Sequence, residues 1–192
     1  MMKRCITRFL GLMLAVAMTA GLLPATALAA SQEISGTVKA STLADNAEIT
    51  LSGTTTLIVD TNKTLKSIKG DHALTISGGT AFNTLTINSG GHGIETASFA
   101  MEGVIVVIDS KRDGVNTDGD ITVNSGLLSI DAGKDGIYSE SGSILIHGGI
   151  VDSGCGTNCA AIQAMSGDIH VTAGKVIASG AKEGITADGG SI

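Results

Sequence analysis

Three stretches of this chain set a base, an acid, a glycine and an aliphatic residue in the same order: Arg112-Asp113-Gly114-Val115, Lys134-Asp135-Gly136-Ile137 and Lys182-Glu183-Gly184-Ile185. Four residues after each glycine stands a further acid, Asp118, Glu140 or Asp188. If the repeated units stack, the bases form one ladder and the acids another. Between Asp113 and Asp120 the residues Asp113, Asn116, Asp118 and Asp120 make the densest group of oxygen ligands in the chain, with Asp135 and Glu140 one repeat on. Calcium takes six to eight oxygens, and turns rich in Asp and Gly offer carboxylates and carbonyls together. The plainer reading is that these acids solvate turns and pair with the adjacent bases, and it takes precedence; calcium at one or more corners is the alternative. The segment matches neither an EF-hand nor the nonapeptide calcium repeat.

A second group is Cys155-Gly-Thr-Asn-Cys159, which replaces the charged pair in one repeat. Without Cys5 of the leader, Cys155 and Cys159 are the only cysteines, an even count. In an exported chain this suggests a disulfide that pinches a long corner. Two free thiols are the next reading and a metal the last, since His147 and His170 belong to strand positions. Three residues separate the cysteines, one more than a CxxC redox motif has.

The elements that must position these residues follow from the repeat. Gly93-Ile94, Gly114-Val115, Gly136-Ile137, Ala161-Ile162 and Gly184-Ile185 recur at steps of 21, 22, 25 and 23 residues. After each comes a turn and an alternating strand, as in Ile121-Thr-Val123, Ile144-Leu-Ile146 and Ile169-His-Val171. A small-residue corner then leads to a third strand, such as Leu128-Ser-Ile130 or Val176-Ile177. Period-2 alternation puts the aliphatic residues on one face. A three-residue strand cannot bury that face alone, so the unit is stable only as a stack. The expected fold is all-β, a right-handed parallel β-helix with coils of about 22–25 residues. A β-sandwich also has short alternating strands but does not explain one motif at a near-constant step. Upstream of Gly93 the pattern is looser, with strands at Ile49–Leu51, Thr56–Val59, Leu65–Ile68 and Leu74–Ile76. Phe82 and Phe99 are expected to fill the core.

The organisation read from the ends is a signal peptide over 1–29, a cap or linker over 30–48 and the β-helix over 49–192. Lys3, Arg4 and Arg8 precede an uncharged run from Phe9 to Leu23, followed by Pro24 and Ala27-Leu28-Ala29. That order is a cleavable leader, too short for a membrane anchor. Ile192 falls where a new coil begins, so the chain reads as part of a longer product. All 18 acidic residues but only nine of the 12 basic ones lie beyond residue 30, which leaves the exported part near −9. Nucleic-acid binding is unexpected, because phosphate neutralisation needs clustered bases. With 27 Gly, no Trp, one Tyr and three Phe, the core must be thin aliphatic layers.

The cadence of strand, Gly-Gly, strand and Asp-Gly-Ile over residues 49–192 resembles the secreted β-helix carbohydrate-binding domain proteins of Gram-positive anaerobes, which are similar in fold to pectate lyases. The resemblance implies a secreted or cell-surface module that binds polysaccharide, such as a plant-wall glycan, with calcium in its turns. The sugar contacts it suggests are Tyr138, the single available ring, with Arg112, Lys134 and Lys182. No nucleophile elbow, zinc-binding His pair or glycosidase signature is present, so the reading is non-catalytic. An adhesin or structural stalk is the alternative. A polysaccharide lyase fragment stands third, with Lys or Arg as base and calcium acidifying a uronate.

Overall fold

Alternation of β-branched and polar residues builds strands, and the short polar corners between them turn the chain through three faces. The computed structural model describes residues 31–79 and 82–192; the leader expected over 1–29 lies outside the described residues. Sixteen strands follow: β1 (Ser31–Lys39), β2 (Ala47–Val59), β3 (Lys63–Gly78), β4 (Thr84–Ser89), β5 (Ile94–Glu102), β6 (Val104–Ser110), β7 (Val115–Thr117), β8 (Ile121–Val123), β9 (Gly126–Ala132), β10 (Ile137–Ser139), β11 (Ile144–Ile146), β12 (Ile150–Cys155), β13 (Ala160–Ala164), β14 (Ile169–Val171), β15 (Lys175–Ser179) and β16 (Glu183–Ala187). Every pairing is parallel. The chain is a right-handed parallel β-helix of about seven turns.

The first face stacks β2, β3, β5, β7, β10, β13 and β16. On the second, β2, β3 and β5 continue round a corner and are followed by β8, β11 and β14. The third runs from β3 through β4, β6, β9 and β12 to β15. Coils therefore lie about 4.8 Å apart, the spacing of neighbouring strands.

Inward residues form single-file columns. Ile68, Ile94, Val115, Ile137, Ile162 and Ile185 stand on one another along the first face. The repeat that spaces the Gly-Ile pairs is thus the register of this column. Leu57, Ile76, Met101, Val123 and Ile146 line the second face, and Leu65, Ile87, Ile108 and Ile130 the third. All these residues except Ile185 are buried.

Two expectations change. The solenoid register begins at Ser31, not at residue 49, because β1 pairs with β2 from Ser31 to Lys39 and buries Ile34. The segment that looked like a cap or linker is the first layer of the stack, its periodicity hidden by a register shift between Ile34 and Gly36. Further shifts fall at Ala47/Glu48 and Gly70/Ala73, which is why the sequence looks ragged before Gly93. Gly70 has φ +146°, and a Cβ there would stand 2.7 Å from Leu51 O, so the close approach of two coils requires glycine. Finally, Phe99 is in the core but Phe82 is 87 % exposed. Phe82 stands on the corner before β4, where alternation has not yet begun.

Candidate functional site

Register places His92, Asp113, Asp135, Ala160 and Glu183 at one position of five successive coils. Asp113 Oδ1 accepts the Asp135 N–H at 3.1 Å, and Asp135 Oδ1 accepts the Ala160 N–H at 2.8 Å. Each carboxylate thereby satisfies a corner amide of the next coil that has no strand partner. The other Asp113 oxygen lies 3.1 Å from His92 Nδ1, both side chains only 6 % exposed. Asn116 Nδ2 is 3.5 Å from that oxygen, and Lys134 Nζ is 3.9 Å from Oδ1.

The next corner repeats the device. Asp120 Oδ1 accepts the Ser143 N–H at 2.8 Å, Ser143 Oγ accepts the Asp168 N–H at 3.2 Å, and Asp168 Oδ1 accepts the Ser191 N–H at 2.8 Å. Hydrogen bonds from the Ser191 amide and hydroxyl hold the Asp168 carboxyl below its ordinary range, with His170 adding a smaller charge effect. Buried hydroxyls complete these corners: Thr117 Oγ1 donates to Gly119 O at 2.6 Å and Ser139 Oγ to Gly142 O at 2.9 Å.

The six oxygen-ligand candidates therefore divide. Asp113, Asp120 and Asp135 are committed to neighbouring amides, and Asn116 leans on Asp113. Asp118 and Glu140 are exposed, on successive coils, and make no side-chain hydrogen bond among the described residues. Two free carboxylates fall short of a calcium shell unless backbone carbonyls and water complete it. Among the described residues, no three His, Cys, Asp or Glu side chains converge as metal ligands.

Asp118 and Glu140 edge a groove of about 510 Å³ on the first face. Its floor is the outward row of that face, Thr50, Lys69, Glu95, Asn116 and Tyr138 on five successive coils. Burial raises the Tyr138 hydroxyl above its ordinary 10.0, and the charges of Glu140, Asp113, Asp135 and Asp188 push the same way. The row extends beyond Tyr138 to Gln163 and Thr186, where Gln163 Nε2 donates to Asp188 Oδ2 at 2.6 Å.

The four sugar-contact candidates are not brought together. Tyr138 is in the groove; Arg112 lies in a neighbouring hollow. Lys134 and Lys182 stand at the corner, 3.9 Å from Asp113 and 3.6 Å from Glu183. Arg112 and Lys134 are on adjacent coils, but Cys159 takes the next position before Lys182 and breaks the basic ladder. Cys155 and Cys159 are joined, with Cα atoms 6.2 Å apart, across the corner between β12 and β13. Lys69, Glu95 and His92 escaped the reading of the sequence. His92 precedes Gly93-Ile94 as Asp113 precedes Gly114-Val115, so the repeat could have found it.

Fold and groove together define a parallel β-helix protein with a polar cleft across its first face. Among known proteins, no family model, curated sequence or solved structure matches this chain.

Proposed function

We propose that this chain is a non-catalytic, extracellular carbohydrate-binding module that takes a polysaccharide in the groove around Tyr138. One observation carries the reading. The outward row of the first face brings the chain's single tyrosine into line with Asn116, Glu95 and Lys69, with Asp118 and Glu140 at its rim. A half-buried ring offers an apolar face and a polar tip, while amides, carboxylates and an ammonium take hydroxyl hydrogen bonds. The acids outnumber the base here, which suits a sugar ring without an anionic group at Tyr138; Asp118 and Glu140 are the pair that could share a calcium ion with it.

Glycan-array binding with and without EGTA tests this. Retention of a polysaccharide, lost in Tyr138→Ala, is expected; retention of no glycan at millimolar calcium sinks the reading. Loss with EGTA assigns calcium a part in it.

A structural stalk or adhesin spacer is favoured by a different observation. Asp113, Asp120, Asp135 and Asp168 all tie one coil to the next, which stiffens the stack whatever it carries. In the same array this reading gives a folded protein that retains nothing. A lyase would release unsaturated product that absorbs in the ultraviolet.

A further inference from the structure

Beside the groove, a second hollow of about 470 Å³ opens where the chain turns from β4 into β5. Lys66, Lys69 and Arg112 line it, together with Glu48 and Glu95. One net positive charge remains, in a chain whose formal charge is −6. Among the described residues none of these three cations is ion-paired within 4.0 Å, whereas Lys63, Lys134 and Lys182 are. The cations share the hollow with two acids and make no contact ion pair with them.

The corner that borders the hollow is Ser89-Gly90-Gly91-His92. A Cβ added at Gly90 or Gly91 would meet nothing within 4 Å, and neither residue has a positive φ. Packing does not require glycine here, unlike Gly114, whose Cβ would stand 2.6 Å from Gly136 O. Two missing side chains leave the main chain open to a ligand. Ser89 holds the corner in shape: its Oγ donates to His92 O at 2.6 Å and accepts the Gly91 N–H at 3.1 Å. Behind it, His92 is nine-tenths buried, with its Nδ1 turned to the Asp113 carboxylate at 3.1 Å.

We propose that this hollow binds a tetrahedral oxyanion, the sulfate ester group of a glycan. Three cations from separate backbone positions suit a group with three acceptor oxygens better than a planar carboxylate. The guanidinium fork of Arg112 takes two of those oxygens and the ammonium groups the third. One net positive charge matches a monoanionic sulfate ester; a phosphate monoester, near −2 at neutral pH, fits less well. The hollow shares Lys69 and Glu95 with the groove, so a glycan chain that runs from Tyr138 along the row can place an ester substituent in it. Only that last step rests on the glycan-binding reading; the ion site stands without it.

The test is titration of the ¹⁵N-labelled protein with sodium sulfate, with sodium chloride of equal ionic strength as reference. Saturable shifts at Gly90, Gly91, His92 and the Arg112 side chain are expected for sulfate, with weaker ones for phosphate. Arg112→Gln and Lys66→Gln each weaken binding by about tenfold, as the loss of a charge-assisted hydrogen bond does. Gly91→Ala weakens it with the spectrum of the fold retained, and Lys175→Gln on β15 leaves it unchanged. A response equal to that of chloride, or one that survives both charge removals, overturns the proposal. A sulfated polysaccharide and its desulfated form separate the two readings. Preference for the sulfated form supports both. Retention of the desulfated form with no sulfate response removes the ion site alone. A saturable sulfate response with no glycan retained keeps the site and removes the glycan reading.

Discussion

The carboxylate of Asp113 accepts the backbone N–H of Asp135, the residue that occupies its own position one coil further on, at 3.1 Å. Residues that repeat in the sequence are here donor and acceptor to each other. The acidic ladder is thus a set of amide caps that closes each corner against the next, and only its outer members, Asp118 and Glu140, are left for a ligand.

Removing that cap exposes its role. Asp113→Ala leaves the part-buried amide of Asp135 without its acceptor, a loss of about 1 kcal/mol. Asp113→Asn keeps an oxygen in place and is expected to lose less. The urea midpoints of the two variants, compared at equal slope, check the order.

Close approach of the coils makes a second prediction. A Cβ at Gly114 would fall on Ile130 Cγ2 and 2.6 Å from Gly136 O. Gly114→Ala therefore overpacks the corner and is expected to cost about 1–3 kcal/mol. Gly91→Ala, with nothing within 4 Å of the added carbon, leaves the midpoint unchanged in the same measurement.

Acid titrates the N-terminal corner. Asp60 accepts from the Ser41 hydroxyl at 2.7 Å and from its amide at 2.9 Å. These bonds hold its carboxyl below the ordinary 3.8. A lowered folded value means that the contribution is present above pH 3.8 and fades as pH falls through the folded value. Ser41→Ala is expected to move the Asp60 titration up towards 3.8, followed by carboxyl NMR shifts between pH 2 and 6.

Tyr138 is the chain's single tyrosine, and tryptophan is absent, so its ionisation can be read directly as ultraviolet tyrosinate absorbance. Burial first, then the charge of Glu140, raises its value above 10.0. Glu140→Gln is expected to bring the midpoint down. Because the folded value is raised, whatever stability this group adds is present below pH 10 and is lost as pH rises through the folded value. A bound glycan that covers the ring raises the midpoint further.

Reducing the Cys155–Cys159 bridge opens a loop of five residues. Such a short loop constrains the unfolded chain little, about 2 kcal/mol by its closure entropy. Hydrogen exchange after reduction should rise at residues 156–158, with β11 and β14 on the second face kept protected. Loss of protection throughout the last three coils would show instead that the bridge holds the stack.

Much of the fold was legible because one physical fact writes it twice. Each coil must place an aliphatic residue on the one before, so the column Ile94, Val115, Ile137, Ile162 is visible as a sequence period before it is visible in space. Where a register shift breaks that period, as at Ile34/Gly36 or Gly70/Ala73, the sequence went quiet although the strands continue. Phe82 misled for a related reason. Its side chain is apolar, but its place on a corner carries no alternation to say which way it points.

By itself, then, the sequence determined the parallel stack, its coil length and the columns of bases and acids, because these rest on a repeat distance. Only the tertiary structure decided what each charge does. Asp113 and Asp118 are both acids of one coil, yet the first is sealed against His92 and an amide while the second stands free at the rim of a groove. That difference comes from the strand β7 between them, which sets the two acids on corners at its opposite ends, one carboxylate bonded along the stack and the other in solvent. Lys66, Lys69, His92 and Arg112 meet in one hollow for the same reason: they come from three coils, and only stacking makes them neighbours.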